Sequence, residues 1–110
     1  MAAKTSEACC EPLLAAPLDV QDASDLAEAF RALADPVRLR LLSLIAAAPA
    51  GGACSCDLEA PVGKSQSTVS HHLSLLADAG LITKRKAGRW VHCSIVPERV
   101  AILRDFLGRD

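Results

Sequence analysis

The chain contains no tyrosine, one tryptophan and two phenylalanines among its 110 residues. Sandwiches and barrels draw on aromatic and β-branched side chains, so this scarcity argues for helices packed by alanine and leucine. No apolar run approaches the ~20 residues that a membrane-spanning helix requires, so no membrane partner is expected. The opening MAAKTSEACCEP has one lysine, two glutamates and no apolar stretch. No export signal is therefore expected, and the expected location is cytoplasmic. A glycine-rich phosphate loop and an HExxH pair are both missing, which removes two common catalytic chemistries. No enzymatic activity is expected. An excess of one charge is also lacking, since the net charge is -1. The distribution is uneven, however. Residues 1–60 hold four basic and nine acidic side chains, and residues 61–110 hold eight basic and four acidic. A locally basic surface is what phosphate contact needs.

What is present centres on Ser65 to Ile82, SQSTVSHHLSLLADAGLI. Val69, Leu73, Leu76 and Ala79 recur at spacings of four and three, which places them on one helical face. The opposite face carries Gln66, Ser67, Ser70, His71 and Ser74, small or flat side chains able to approach base edges in a major groove. Gly80 stops the helix. Leu81–Lys86 and Arg89–Ile95 then read as two strands around Ala87-Gly88, with Lys84, Arg85, Lys86 and Arg89 placed for backbone or minor-groove contact. Helix, glycine stop and basic hairpin in that order define a winged helix-turn-helix: a mainly α fold with a β-hairpin wing, here expected to be dimeric. Ser65, Gln66, Ser67, Thr68, Ser70 and His71, with the four wing cations, form the candidate contact set for double-stranded DNA. His72 is read as a packed or capping residue and His92 as a hydrogen-bonded strand residue.

Taken in order, residues 1–21 show no clean periodicity and are read as a flexible arm, with residues 22–110 as the folded domain. A first helix is expected from Ala23 to Ala34. Asp35-Pro36 is an N-cap followed by proline at the first helical position, opening a second helix that ends near Ala48-Pro49. Arg38 and Arg40 lie near its start, where the helix field does not favour cations, and are read as solvated. A loop over Ala50–Ala53 and a short helix over Ser55–Ala60, ended by Pro61, complete the approach to the long helix. Pro97 opens a terminal helix with the stripe Val100, Leu103, Phe106 and Leu107. That stripe, with Leu26, Phe30 and Leu33, is the candidate interface with a twin subunit.

Five cysteines group as Cys9-Cys10, Cys54-Ser55-Cys56 and Cys93. In a reducing compartment they are not expected to form a disulfide framework. Cys93 alternates with Val91 and Ile95 and reads as a core residue. The other four are soft ligands suited to Zn(II), Cd(II), Pb(II), Cu(I) or trivalent arsenic. Arsenic asks for three sulfurs, while Cd(II) or Zn(II) asks for four ligands. No Cys-x2-Cys spacing of a structural zinc knuckle occurs. A small thiol-dependent enzyme such as an arsenate reductase would use similar thiols, but it needs a βαβ core, and no parallel-sheet pattern is present.

The segments ALADPVRLRLLSLI and CSCDLEAPVGKSQSTVSHHLSLLADAGLITKRKAGRWVHCSI resemble the arsenic- and metal-responsive ArsR/SmtB family of bacterial winged-helix repressors, over nearly all of residues 23–107. The resemblance implies a homodimer that binds a palindromic operator, represses detoxification genes and leaves DNA when an inducer binds, with no resident cofactor. Cys54 and Cys56 match the arsenite-binding cysteines of the family's Cys-x-Cys-Asp-Leu element, and Cys9-Cys10 resembles the adjacent pair of actinobacterial-type arsenic repressors. Having both pairs departs from either pattern. The inducer expected is As(III) or Sb(III), on Cys9 and Cys10 of one chain and Cys54 or Cys56 of the other. The alternative is Cd(II) or Pb(II) on all four thiolates. The family's zinc and nickel site on the last helix is not expected, because residues 97–110 contain no histidine.

Overall fold

In the computed structural model, residues 17–108 are described. The cysteine arm's Cys9 and Cys10 lie outside them. Helix α1 spans Val20–Leu33, three residues ahead of the expected start. Asp19 explains the difference: its side chain accepts from the Asp22 N–H at 2.8 Å and caps the helix there. Residues 20 and 21, assigned to the arm from sequence, thus belong to the helix. Helix α2 spans Pro36–Ala47, as its Asp35-Pro36 start implies. Asp35 Oδ1 accepts from the N–H groups of Val37 at 2.8 Å and Arg38 at 3.1 Å.

The stretch after α2 differs from expectation. A 3-10 turn over Pro49–Gly51 leads into a short strand, β1, Gly52–Cys54, where a loop was expected. Three residues carry no readable alternation, and β1 exists because β3 offers it an open edge. At Gly52 a Cβ would lie 2.6 Å from His92 Cε1, so a larger residue there would have to displace the His92 ring. A second 3-10 turn, Ser55–Asp57, is followed by the one-turn helix α3, Glu59–Val62. Pro61 does not end this helix but lies inside it. In a first turn its missing N–H would have had no partner, and Gly63 closes the helix instead.

Helix α4, Gln66–Asp78, is capped by Ser65, whose Oγ accepts from the Thr68 N–H at 3.3 Å. Strands β2 (Ile82–Ala87) and β3 (Trp90–Ile95) form the hairpin, with Ala87 opposite Trp90, so the turn is Gly88-Arg89, one residue later than the expected Ala87-Gly88. Gly88 takes φ +64°, the left-handed conformation that a tight two-residue hairpin needs at its first central position. The sheet is antiparallel in the order β1-β3-β2. Helix α5, Pro97–Phe106, ends the fold. Among the described residues no helix is long and apolar enough to cross a membrane.

The core gathers one face of each element: Ala29 and Ala32 from α1, Leu41 and Ile45 from α2, Val69, Leu73 and Leu76 from α4, then Leu81, Ile82, Cys93 and Leu103. Aliphatic burial of this completeness stabilises by about 1.5–3 kcal/mol per large side chain. Cys93 is fully buried. Burial pushes its thiol up from the ordinary value, against a smaller opposing effect of Lys84, so it stays a protonated packing group.

The Asp35 carboxyl is held below its ordinary value, first by the Arg38 N–H, with burial working against that and the Val37 N–H and the Arg38 charge assisting. A depressed folded pKa contributes stability above the unfolded carboxylate range and loses it as pH falls through the folded value. Asp35→Ala should therefore be less stable than wild type in urea denaturation at neutral pH, with the gap closing on acidification. An equal gap at acid and neutral pH would show that the carboxylate charge is not involved.

Candidate nucleic-acid interface and cysteine loop

Burying Val69, Leu73 and Leu76 turns the other side of α4 outward. Gln66, Ser67, Ser70 and His71 are all exposed there, in one row along the helix. At its start, Ser65 Oγ lies 3.1 Å from Thr68 Oγ1 and 3.3 Å from Ser67 Oγ. Thr68 is half-buried and its hydroxyl serves this cap, so the outward row begins with Gln66 and Ser67. The preceding helix is fixed by Arg40, whose Nη1 donates to the Pro61 carbonyl at 2.8 Å.

All four wing cations are exposed, but they do different things. Lys84 Nζ donates to Ser74 Oγ at 2.8 Å, tying the wing to α4. Arg89 lies over the Trp90 ring, 5.2 Å from its centroid, a cation–π contact that stiffens the wing tip. Arg85 and Lys86 form no ion pair among the described residues. Strand alternation puts Lys86 on the side of Lys84 and Arg85 on the other, opposite His92 across the ladder.

Two arginines read as solvated have internal work. Besides the Arg40 contact, Arg38 Nε donates to the Ala32 carbonyl at 2.6 Å, and its Nη1 lies 3.2 Å from His72 Nδ1. The His72 and Pro61 partners are distant in sequence, so no local pattern marks these contacts.

Cys54 ends β1 and Cys56 sits in the following 3-10 turn, with Cα atoms 5.2 Å apart. Their sulfurs adjoin, because the turn brings both side chains to one side of the loop. The Cys56 N–H donates to Cys54 Sγ at 3.3 Å, a contact that favours a thiolate when the pair is reduced. Ser55 Oγ accepts from the Val91 N–H at 3.4 Å, docking the loop on β3. Among the described residues no group of three or more His, Cys, Asp or Glu could hold a metal ion. Two sulfurs on one loop are what this part of the chain offers a soft ion.

The expected interface residues divide. Leu103 is buried, and Phe106 meets Phe30 within the chain, with ring centroids 6.1 Å apart. Leu26, Leu33 and Val100 are half-buried against the core. Leu107, just past α5, is exposed, as are Leu18, just ahead of α1, Val20 in α1 and Ile102 in α5. Those last three were not singled out from sequence.

Comparisons with known proteins agree with this architecture. The model of the bacterial regulatory protein arsR family matches residues 35–84. An uncharacterized HTH-type transcriptional regulator of Methanocaldococcus jannaschii is 43% identical over 74 residues, covering 67% of this chain and 81% of that one. A Halobacterium salinarum protein named for arsenical resistance is 48% identical over 85 residues, covering 77% of this chain and 69% of that one. The solved homodimeric winged helix-turn-helix domain of a Mycobacterium bovis protein superposes with a TM-score of 0.63 at 27% identity, over 84% of this chain and 83% of that one.

Charge-neutral replacement of Arg85 and Lys86 should weaken binding to operator and scrambled duplex alike and flatten the salt dependence by about 0.9 log units per lost phosphate contact. Replacing Gln66, Ser67 or His71 should instead erode operator preference, by about 1–3 kcal/mol per good base contact. Lys84→Met and Ser74→Ala should be non-additive, since each removes the same tie. Fluorescence anisotropy on labelled duplexes at two salt concentrations reads all three. Equal affinity of the wild-type protein for both duplexes would remove the base-reading role of α4.

Proposed function

The chain belongs to the arsR family of bacterial regulatory proteins, and on that premise we propose that it is a homodimeric repressor released from its operator by trivalent arsenic. Membership in a family of transcriptional regulators, with an antiparallel sheet, leaves no place for the thiol-enzyme alternative. The observation that carries the inducer reading is the position of Cys54 and Cys56. Their sulfurs adjoin on a loop that leads through α3 alone into the helix that faces DNA. The relative named for arsenical resistance supports the same reading.

As(III) exchanges As–O bonds for As–S bonds, each departing hydroxide leaving as water with a thiol proton. One of its three sulfurs comes from the loop, Cys54 or Cys56, and Cys9 and Cys10 of a partner arm supply the other two. Binding needs the reduced pair, because a disulfide has no proton to give and no thiolate to offer. Pulling the loop toward the arm shifts α3 and the start of α4. That biases the dimer away from the spacing its two half-sites require, a coupling between two sites through one movable element.

Dimerisation rests on apolar side chains that the chain leaves uncovered. Leu18, Val20, Ile102 and Leu107 are exposed beside the packed pair Phe30 and Phe106, next to the expected set of Leu26, Leu33, Val100 and Leu103. The M. bovis domain is itself homodimeric. Ile102→Glu with Leu107→Glu should yield monomers in sedimentation and lose half-site pairing. A wild-type monomer at micromolar concentration would end the dimer reading.

For the inducer, arsenite should release operator from the reduced protein and fail on protein whose Cys54–Cys56 pair has been closed by a disulfide oxidant. X-ray absorption should count three As–S bonds. Single Cys9→Ser and Cys10→Ser variants should resist arsenite, and a variant with both Cys54→Ser and Cys56→Ser should not respond. Full release by arsenite in a Cys9/Cys10 double variant would overturn the arm's role. Release by Cd(II) through four sulfurs, with arsenite inactive, would replace arsenic by the four-thiolate alternative.

A further inference from the structure

We propose that Arg38 and His72 form a positioning pair that sets the pose of α4, and that protonation of His72 breaks it and weakens operator binding. The proposal rests on the DNA-binding reading above and adds to it a residue pair and a proton.

The geometry begins with Arg38. Its side chain is 16% exposed, although it leaves the first turn of α2, where a cation is not favoured by the helix field. Three contacts account for its burial. Nε donates to the Ala32 carbonyl near the end of α1 at 2.6 Å. Nη1 lies 3.9 Å from Asp35 Oδ2 at the cap of α2. The same Nη1 lies 3.2 Å from Nδ1 of His72, on α4. One planar group therefore joins the end of α1, the start of α2 and the middle of the DNA-facing helix.

The chemistry of the last contact is decided by the donor. A guanidinium has no acceptor and stays charged at all accessible pH. The hydrogen bond can form only if Nδ1 of His72 carries a lone pair, which places the imidazole proton on Nε2. Protonating Nδ1 removes the acceptor and sets a second cation against the first. The pair then parts, and α4 loses its tie to α1 and α2.

The surrounding charges soften the repulsion but cannot restore the lost acceptor. From α2, Asp35 faces the pair, its carboxyl held below the ordinary value, first by the Arg38 N–H, and its charge attracts a protonated His72 as well as Arg38. From α1, Glu28 and Arg31 border the same groove and pair with each other at 2.9 Å. From α4 itself, Asp78 borders the groove, and the His71 ring centroid lies 5.8 Å from that of His72. His71 is exposed on the DNA side, and its own protonation would favour a phosphate. A raw pH profile mixes the two histidines, so the test isolates His72.

The discriminating variant is His72→Asn, which keeps an acceptor near the Nδ1 position and cannot titrate. Operator affinity, measured by anisotropy at fixed salt between about pH 5.5 and 8, should fall by about tenfold more in the wild type than in His72→Asn as pH drops. His72→Leu and Arg38→Gln should bind about tenfold more weakly than wild type at pH 8, with circular dichroism and oligomeric state unchanged. In the free protein, nitrogen-15 shifts of His72 should show the tautomer with the proton on Nε2. Identical pH profiles for wild type and His72→Asn, or a proton on Nδ1 at neutral pH, would overturn the proposal while leaving the regulator reading intact. Absence of wild-type operator binding at every pH would defeat both.

Discussion

A helix can offer one side to a DNA groove only while its other side is held, and here the hold is the burial of Val69, Leu73 and Leu76, each 2% exposed or less. This burial fixes the roll of α4, because any rotation about its axis would bring those side chains into water. It does not fix the helix's tilt, since apolar contact has no direction. Direction comes from hydrogen bonds made at neighbouring turns: Arg38 with His72 from one side, Lys84 with Ser74 from the other. The core thus selects the face, and the polar ties select the pose.

The same division changes how the cations are counted. The wing carries four, which suggests a broad phosphate-binding surface for a chain whose net charge is -1. Lys84 is engaged with Ser74 and Arg89 lies over Trp90. Arg85 and Lys86 are left for an external partner, on opposite faces of β2. Arg38 and Arg40, two further cations in the sequence, bond to groups of the chain's own backbone and to His72. Much of the positive charge therefore organises the interface, and a smaller part is left to meet DNA.

Legibility in the sequence followed the range of the forces. The stripe of α4 and the Asp35-Pro36 start of α2 are set by neighbours within a few residues, and both were readable; the wing was readable as a hairpin, but its turn was placed one residue early. Cys93 was readable as a core residue because strand alternation is local too. Strand β1 was not, since three residues become a strand only when β3 lies beside them. Pro61 was misread as a terminator because its place in a one-turn helix depends on where that turn begins. The roles of Arg38 and Arg40 depend on groups 34 and 21 residues away. The outward row at Gln66, Ser67, Ser70 and His71 was legible, while the split of the terminal stripe between internal packing and exposed surface was not.

The register of the sheet has a consequence for redesign. Cys54, His92 and Arg85 stand directly opposite one another across β1, β3 and β2, so the cysteine loop and the basic wing are mounted on the two edges of a single strand. A new element transplanted between α2 and α3 must therefore keep a three-residue strand to remain seated. Chimeras cut inside residues 52–54 should detach the graft from the wing, and exchanges over residues 55–57 should keep Ser55, whose Oγ accepts from the Val91 N–H and holds the loop on β3.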